Sequence, residues 1–249
     1  MRRVPELGVL PGGAPPASEG FELVFADEFG EQRVGLTEAW SVPLESCRPV
    51  RGFPSFKGQR HHVGRWWTAT TETLVGFESW LERDRLILLD FDPAVVGIAS
   101  QPFWLFFTTA EGKRRSHAPD YFARLVDGSA LVLDCRPTAR IKPRDRVAFE
   151  VTARACAVLG WRYEVVDAAA PVLMGNVRWL AAYRHPRHDL AAVAGALREV
   201  FAEPAGLLEG AGAVGDPIAV LPVLFHLLWR RELRVELSTP LHTGAVVSW

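Results

Sequence analysis

Two aspartates and one arginine in the middle of the 249-residue sequence have types and spacing that suit a metal-dependent hydrolytic site. Asp120 closes the segment His117-Ala118-Pro119-Asp120, and Asp134 opens the segment Asp134-Cys135-Arg136 fourteen residues further on. Carboxylates that converge from neighbouring strands bind divalent cations, and a nearby guanidinium offsets phosphate charge. These residues therefore suit phosphodiester hydrolysis with Mg²⁺; the alternative is an ordinary solvent-facing hairpin.

A hairpin is expected to carry both carboxylates. Residues 121–125 and 130–133 are apolar and strand-forming, and the Asp127-Gly128 pair between them is a strong turn signal. Side chains alternate between the two faces of a strand, so the register of this hairpin decides whether the carboxylates meet.

The register carries a definite requirement. Asp120 shares a face with Asp134 and Arg136 only when one of these two residues lies directly opposite it. A two-residue turn would place Cys135 opposite Asp120 and separate the carboxylates. The site therefore requires a three-residue loop with a bulge at Gly128, where glycine accepts a left-handed backbone, or another bulge further along. Cys135 then points to the opposite, buried face and acts in packing, not as a nucleophile.

A helix predicted for residues 70–90 supplies a third carboxylate. Thr70 or Thr71 is its expected cap, and apolar residues recur through it at helical spacing: Leu74, Phe77, Leu81 and Leu88. Glu78 and Glu82 are four residues apart, which stacks them on one helical face. Either glutamate can complete a metal site; the alternative for both is pairing with neighbouring arginines.

The elements around the hairpin predict an α/β sandwich. Residues 95–99 and 103–108 are apolar and rich in β-branched or aromatic side chains, which is typical of strands. Pro143 begins a helix that ends at Gly160, and residues 161–166 form another strand. Because a strand–helix–strand connection implies a parallel crossover, we expect a mixed sheet flanked by helices.

The C-terminal third changes to helices followed by short strands. The patterns predict three helices and then two strands, at residues 172–182, 189–201, 217–230, 233–237 and 245–247. This order suggests a small winged-helix-like module over residues 169–249. Residues 217–229 are almost wholly apolar, which favours a core or a partner interface over a DNA-reading helix.

The remaining sequence sets the domain limits and the compartment. Residues 1–20 are rich in Pro, Gly and Ala and are predicted to be disordered, and residues 21–168 form the main domain. The longest apolar stretch, residues 219–229, is about half of a bilayer span, and no apolar signal-peptide core follows the N-terminal arginines. The three cysteines form no CxxC pair and suit a reducing compartment. We therefore expect a cytoplasmic protein without a membrane segment.

Basic residues cluster around the candidate site although the formal net charge is −1. They come from an acid-free stretch over residues 46–71, from the run 113–115 and from residues 136–146. Such clusters suit phosphate contacts along a nucleic acid; the alternative is solvated surface. The residues expected to contact DNA are Lys57, Arg60, His61, His62, Arg65, Arg114, Arg115, Arg140 and Lys142.

Several segments follow one another in the order of a known nuclease family: residues 82–93, residues 95–102, His117-Ala118-Pro119-Asp120-Tyr121 and Asp134-Cys135-Arg136. They resemble the TnsA-like endonuclease subunit of heteromeric transposases, within the PD-(D/E)XK nuclease superfamily. The resemblance covers roughly residues 66–166. It implies a restriction-endonuclease-like mixed sheet flanked by helices, a C-terminal winged-helix-like module, and Mg²⁺ as cofactor, with Mn²⁺ as a substitute. It also implies double-stranded DNA as substrate, with a transposase and an ATP-dependent regulator as partners.

The resemblance assigns roles residue by residue. Glu82 matches the family's helix glutamate, with Glu78 as the alternative. Asp120 and Asp134 match the two strand ligands of the metal. Gln101 falls on a recurrent Gln-Pro pair, where a role in supporting the site is expected.

Arg136 departs from the family, which has lysine at this position. An arginine supplies charge but stays protonated, so it cannot act as a general base. Lys142 is the nearest lysine in sequence, but it lies across Pro137 at the start of a helix. Either metal alone activates the attacking water, or the enzyme is slow or inactive.

The sequence accordingly supports functions from different classes. The first is an endonuclease that cuts at a transposon end together with partner subunits. The second is an inactive nuclease-fold protein that binds DNA or bridges transposition partners. A stand-alone restriction or repair nuclease would share the chemistry of the first without its partners.

Overall fold

The computed structural model describes residues 20–53 and 62–249. Apart from Gly20, the N-terminus predicted to be disordered lies outside these residues, as do Lys57, Arg60 and His61 of the expected DNA contacts. The described chain forms an α/β fold that contains a mixed sheet, as predicted.

Thirteen strands and six α-helices make up the described chain. The strands are β1 (Glu22–Asp27), β2 (Gly30–Gly35), β3 (Gly64–Trp67), β4 (Leu74–Phe77), β5 (Val95–Ser100), β6 (Phe103–Thr108), β7 (Arg114–His117), β8 (Tyr121–Leu125), β9 (Ala130–Cys135), β10 (Arg162–Val166), β11 (Ala205–Gly206), β12 (Arg234–Val235) and β13 (Val246–Ser248). The helices are α1 (Trp80–Phe91), α2 (Pro143–Val158), α3 (Pro171–Leu180), α4 (Ala191–Val200), α5 (Leu207–Val214) and α6 (Pro217–Trp229).

The central sheet has four strands in the order β10-β9-β8-β5. Strands β5, β8 and β9 are antiparallel neighbours, whereas β10 runs parallel to β9 and pairs Val165 with Asp134. A parallel pair needs a crossover connection, and α2 supplies it. The predicted strand–helix–strand crossover is therefore confirmed.

The two faces of the central sheet pack into different cores. Tyr121 and Leu133 lie in a core on the side of α1. Phe122 and Val132 lie in a second core with side chains of α2. Because side chains alternate along a strand, Asp134 follows Val132 onto the α2 side of the sheet.

Strands β6 and β7 do not belong to the central sheet. After β5 the chain leaves the central sheet, and β6 and β7 pair with the N-terminal hairpin in a second four-stranded sheet, in the order β2-β1-β6-β7. Phe103 and Leu105 of β6 share a core with Leu23 and Phe25 of β1 and with the α2 side of the central sheet. The sequence pattern identifies residues 103–108 as a strand but not the sheet that receives it.

The first helix begins ten residues later than predicted. Residues 74–77 form β4, which pairs with β3, and the helix runs from Trp80. Ser79 caps it by accepting a hydrogen bond from the N–H of Glu82, so the predicted cap at Thr70 or Thr71 is wrong. The pairing of β4 with β3 is a tertiary contact, which helical spacing of apolar residues cannot reveal.

Four helices and a small sheet form the C-terminal part of the chain. Helices α3, α4 and α6 match the predicted ones, whereas α5 and the two-residue strand β11 were not predicted. The short strands pair in the order β11-β13-β12. Helix α6 is buried from Val223 to Trp229, in a core to which α1 contributes Ile87 and Phe91.

Within residues 20–53 and 62–249, no single helix is both long and apolar enough to cross a membrane. Helices α5 and α6 satisfy the length and composition requirements only as a pair, and they are bent by 119° relative to each other.

Candidate active site

The β8–β9 hairpin has the register that the candidate site requires. Continuing the observed pairing by one residue beyond Tyr121 places Asp120 opposite Asp134. The connecting loop is closed by a hydrogen bond of 2.9 Å from the N–H of Gly128 to the carbonyl of Leu125. Gly128 has a φ of 83°, in the left-handed region. The predicted three-residue loop with a left-handed glycine is confirmed.

Asp134 is a buried carboxylate whose hydrogen bonds fall on one oxygen. Its side chain is 4% exposed. Its Oδ2 accepts a hydrogen bond from Nε2 of His117 at 2.8 Å and another from the hydroxyl of Tyr163 at 2.6 Å. Its Oδ1 has no hydrogen-bond partner in the part of the chain that the structure describes. One oxygen is held, and the other is left for a further partner.

Asp120 is bonded in the same one-sided way. Its Oδ2 accepts the backbone N–H of Cys135 at 2.7 Å, and its Oδ1 has no partner among the described residues. Burial raises the pKa of this carboxyl well above its usual range, and the charges of Asp134 and Glu82 raise it further. Carboxylates that repel one another in a buried site are stabilised by a cation. Cys135 is itself buried, as predicted.

Glu82 uses both carboxylate oxygens at the start of α1. Its Oε1 accepts the Ser79 hydroxyl at 2.9 Å, and its Oε2 accepts the backbone N–H of Glu78 at 2.7 Å. Because Ser79 in turn accepts the N–H of Glu82, the arrangement resembles a capping box in which Glu82 accepts the N–H of Glu78 instead of that of the cap residue Ser79. Burial raises the pKa of Glu82, although these hydrogen bonds oppose the shift. The capping role is thus observed, and the ligand role remains a prediction.

Glu78 does not lie on the helix, which corrects the prediction that Glu78 and Glu82 stack on one helical face. It precedes the cap, and its carboxylate accepts two hydrogen bonds from the guanidinium of Arg51, at 2.7 and 3.3 Å. The prediction failed because it placed the helix start before β4. Glu82 is the glutamate whose charge acts on Asp120.

Gln101 lies beside Asp120 on the edge of the central sheet away from β9. Its backbone N–H donates to the carbonyl of Asp120 at 2.9 Å, and its carbonyl accepts from the N–H of Val50 at 2.9 Å. It is a non-glycine residue with a φ of 46°, which is sterically unfavourable. Its buried Oε1 has no partner in the described chain. These contacts hold the chain at Asp120, directly before the first residue of β8.

Arg136 and Lys142, the two cations considered for the lysine role, are both exposed. The backbone N–H of Arg136 donates to the carbonyl of Val166, and its guanidinium has no hydrogen bond to any described residue. The positive charge of Arg136 partly opposes the rise in the pKa of Asp120, so Arg136 acts on the site electrostatically. Lys142 lies at the cap of α2, where its charge acts on Asp145.

Six of the predicted DNA contacts lie in the described chain, and all are exposed: His62, Arg65, Arg114, Arg115, Arg140 and Lys142. Arg114 pairs with Glu22 at 2.6 Å. The ring of His62 lies 4.7 Å from that of Trp80, at the start of α1. Strand β7, which carries Arg114 and Arg115, also carries His117, so this basic segment adjoins a partner of Asp134.

Sequence reasoning missed the two partners of Asp134. His117 was part of the motif that ends at Asp120, but no role was given to it. Tyr163 could have been found from the parallel crossover, since it lies two residues before Val165, the partner of Asp134 in the register. The contact of His117 with Asp134 could not be found from the sequence, because β7 belongs to a different sheet.

The donors at this site suit a hard cation with an open coordination shell. Across residues 20–53 and 62–249, no three His, Cys, Asp or Glu side chains are arranged so that together they could hold a metal ion. Two aspartates nevertheless offer one unbonded oxygen each. Mg²⁺ is usually bound by one or two carboxylates, with water and substrate phosphate as its other ligands. The arrangement therefore fits Mg²⁺ better than a metal that needs an all-protein cage.

No protein-family model matches the sequence, and no curated protein matches it either. The function therefore has to be inferred from the side chains of the site and the elements that hold them.

Proposed function

We propose that the chain is a Mg²⁺-dependent DNA endonuclease in which Asp120 and Asp134 hold the metal, with the charge of Glu82 acting on Asp120. The observation that carries the proposal is the hairpin register. It sets Asp120 opposite Asp134, and each aspartate keeps one oxygen free of hydrogen bonds to the described chain. A hairpin of purely structural function has no reason to set a buried aspartate and a half-buried aspartate opposite each other.

The order of elements in the central sheet supports a restriction-endonuclease-like fold. One helix, three antiparallel strands, a second helix and a parallel strand follow one another as α1, β5, β8, β9, α2 and β10, with β6 and β7 inserted. The two candidate ligands come from the middle strands of this sheet.

Within this proposal each side chain has a defined task. Asp120 and Asp134 would hold the cation through their carboxylate oxygens, and the raised pKa of Asp120 would make metal binding weaker at low pH. The chemistry that a bound Mg²⁺ supplies is activation of water and neutralisation of phosphate charge. Arg136 adds positive charge where the pentacovalent phosphate develops, and it does not take up a proton. Glu82 contributes negative charge and fixes the start of α1.

The C-terminal part supports a winged-helix-like module that docks partner subunits. Its elements follow in the order α4, β11, α5, α6, β12, β13, and the 119° bend between α5 and α6 suits a helix-turn-helix. Because α6 is buried, we assign DNA contacts to the basic residues of the main domain. The exposed surface of the C-terminal module is then available to a transposase and an ATP-dependent regulator.

The test is conversion of a supercoiled plasmid to the nicked form with Mg²⁺ or Mn²⁺. We expect nicking by the wild type, none with EDTA, and none by Asp120→Asn or Asp134→Asn. Glu164→Gln is the matched control, since Glu164 is an exposed carboxylate on β10 of the same sheet. Equal nicking by all variants would show that a contaminating nuclease is responsible.

A second candidate function is an inactive nuclease fold that binds DNA or bridges partners. It is favoured by Arg136 in the lysine position and by the engagement of both Glu82 oxygens in the capping box. This candidate predicts DNA binding without nicking under any divalent cation, even with partner subunits present. Fluorescence anisotropy with labelled duplex DNA, measured beside the nicking assay, separates the two.

A further inference from the structure

We infer that His117 and Tyr163 are positioning residues that orient Asp134 so that only its Oδ1 faces the cation. The inference rests on the proposed function and adds two residues to its site. Both donors reach the same oxygen, at 2.8 Å from Nε2 of His117 and at 2.6 Å from the Tyr163 hydroxyl. Two donors on one oxygen fix the plane of the carboxylate.

Other buried carboxylates in the chain are bonded differently. Asp90 is 6% exposed, and both of its oxygens accept hydrogen bonds: Oδ1 from Thr70 and Oδ2 from the Trp66 indole. Both oxygens of Glu82 are also bonded. A carboxylate buried for structural reasons is expected to satisfy both oxygens in this way, because an unbonded buried oxygen is costly. Asp134 differs from both: its two donors share Oδ2, and its Oδ1 is not one of the fully buried atoms without a partner, so Oδ1 is accessible at the site.

The two donors come from different parts of the fold, which makes their meeting on one atom specific. His117 ends β7 in the N-terminal sheet, whereas Tyr163 lies on β10, beside Asp134 on β9. The His117 ring packs edge-on against Phe149 of α2, with centroids 5.8 Å apart. A tyrosine hydroxyl is protonated at neutral pH, so Tyr163 donates to the carboxylate.

Outer residues that hold a metal ligand typically contribute about 10–100-fold to metal affinity or activity. The decisive measurement is Mn²⁺ affinity of the full chain without DNA, by electron paramagnetic resonance, with the Mg²⁺ dependence of nicking beside it. We expect His117→Ala and Tyr163→Phe each to weaken Mn²⁺ binding by roughly 10-fold or more. Nicking should recover towards the wild-type rate at saturating metal, because the ligand itself remains.

A conservative variant and a matched control test whether the loss of Mn²⁺ affinity comes from a lost hydrogen-bond donor to Asp134. His117→Gln keeps an N–H donor of similar reach and is expected to restore most of the affinity lost in His117→Ala. Thr70→Val removes a hydroxyl donor from the structural carboxylate Asp90 and should lower the melting temperature without changing Mn²⁺ affinity. Circular dichroism shows whether each variant is folded.

The outcomes separate this inference from the proposed function. Wild-type Mn²⁺ affinity in folded His117→Ala and Tyr163→Phe, with affinity lost in Asp134→Asn, overturns the positioning role and leaves the endonuclease proposal standing. Absence of Mn²⁺ binding by the wild type overturns both. Equal losses in Thr70→Val and Tyr163→Phe would show a general effect of stability and would also overturn the positioning role.

Discussion

The Asp120 carboxylate accepts the backbone N–H of Cys135 at 2.7 Å, across the two strands that carry the candidate site. This bond holds Asp120 close to Asp134 and Glu82, whose charges oppose its ionisation. The energetic consequences of this position can be measured without any substrate.

The first prediction concerns Asp120 and pH. Burial raises its pKa in the folded protein above the unfolded value of about 3.9, so its contribution to stability is present at low pH and is lost as pH rises through the folded pKa. Asparagine cannot ionise, so the variant Asp120→Asn does not lose this stability as pH rises. We expect the metal-free variant to melt at a higher temperature than the wild type near pH 8 and at a similar temperature near pH 4. A lower melting temperature for the variant at pH 8 would contradict the repulsion described here.

The second prediction separates the two roles of Glu82. Glutamine is accepted in a capping box, so Glu82→Gln should keep the helix start and the melting temperature while removing one negative charge beside Asp120. Mn²⁺ affinity should therefore fall in Glu82→Gln, whereas Glu82→Ala should lose both affinity and stability. Mn²⁺ titration and thermal melting measure the two effects. Unchanged affinity in Glu82→Gln would restrict Glu82 to capping.

The third prediction concerns Arg136. As a charge beside the phosphate, Arg136 should be replaceable by lysine, and Arg136→Lys should nick DNA at a rate similar to the wild type. Arg136→Ala should cost roughly 100-fold or more, by analogy with the loss of one transition-state donor. A clear gain in Arg136→Lys, of about tenfold or 1.4 kcal/mol of barrier, would show that the site lacks a water-positioning group. Full activity in Arg136→Ala would remove residues 134–136 from the motif.

The fourth prediction tests the turn that sets the register. Gly128 has a φ of 83°, and no atom lies within 4 Å of the position that a Cβ would take. Gly128→Ala should therefore destabilise the fold only through the left-handed backbone conformation, which costs about 1–2 kcal/mol for a residue other than glycine. The expected loss of melting temperature is about 2–4 °C for each 1 kcal/mol in a chain of this size. Gly35→Ala is the control, since Gly35 is equally unobstructed and has no positive φ. Equal effects at both positions would contradict the strain at Gly128.

Local chemistry was sufficient where neighbours in sequence are also neighbours in space. The turn signal at Gly128 and the alternation along β8 and β9 located the hairpin and limited the residue opposite Asp120 to Asp134 or Arg136 if the site forms, and the observed loop and register meet that requirement with Asp134. The parallel crossover through α2 followed from strand and helix order alone. The buried face of Cys135 followed from the same alternation.

Tertiary structure decided what depends on distant partners. Residues 74–77 form a strand because they pair with β3, and Glu78 therefore lies before the helix and not on it. The helical spacing of the apolar residues gives no signal of this pairing. His117 reached Asp134 because β7 crosses into the N-terminal sheet, whose packing against the central sheet is set by a shared apolar core. The sequence by itself therefore determined which residues the hairpin carries and which registers would bring the carboxylates together. Which oxygen of Asp134 stays free depended on donors from two strands brought together only by folding, since a hydrogen bond requires a position in space and not a spacing in sequence.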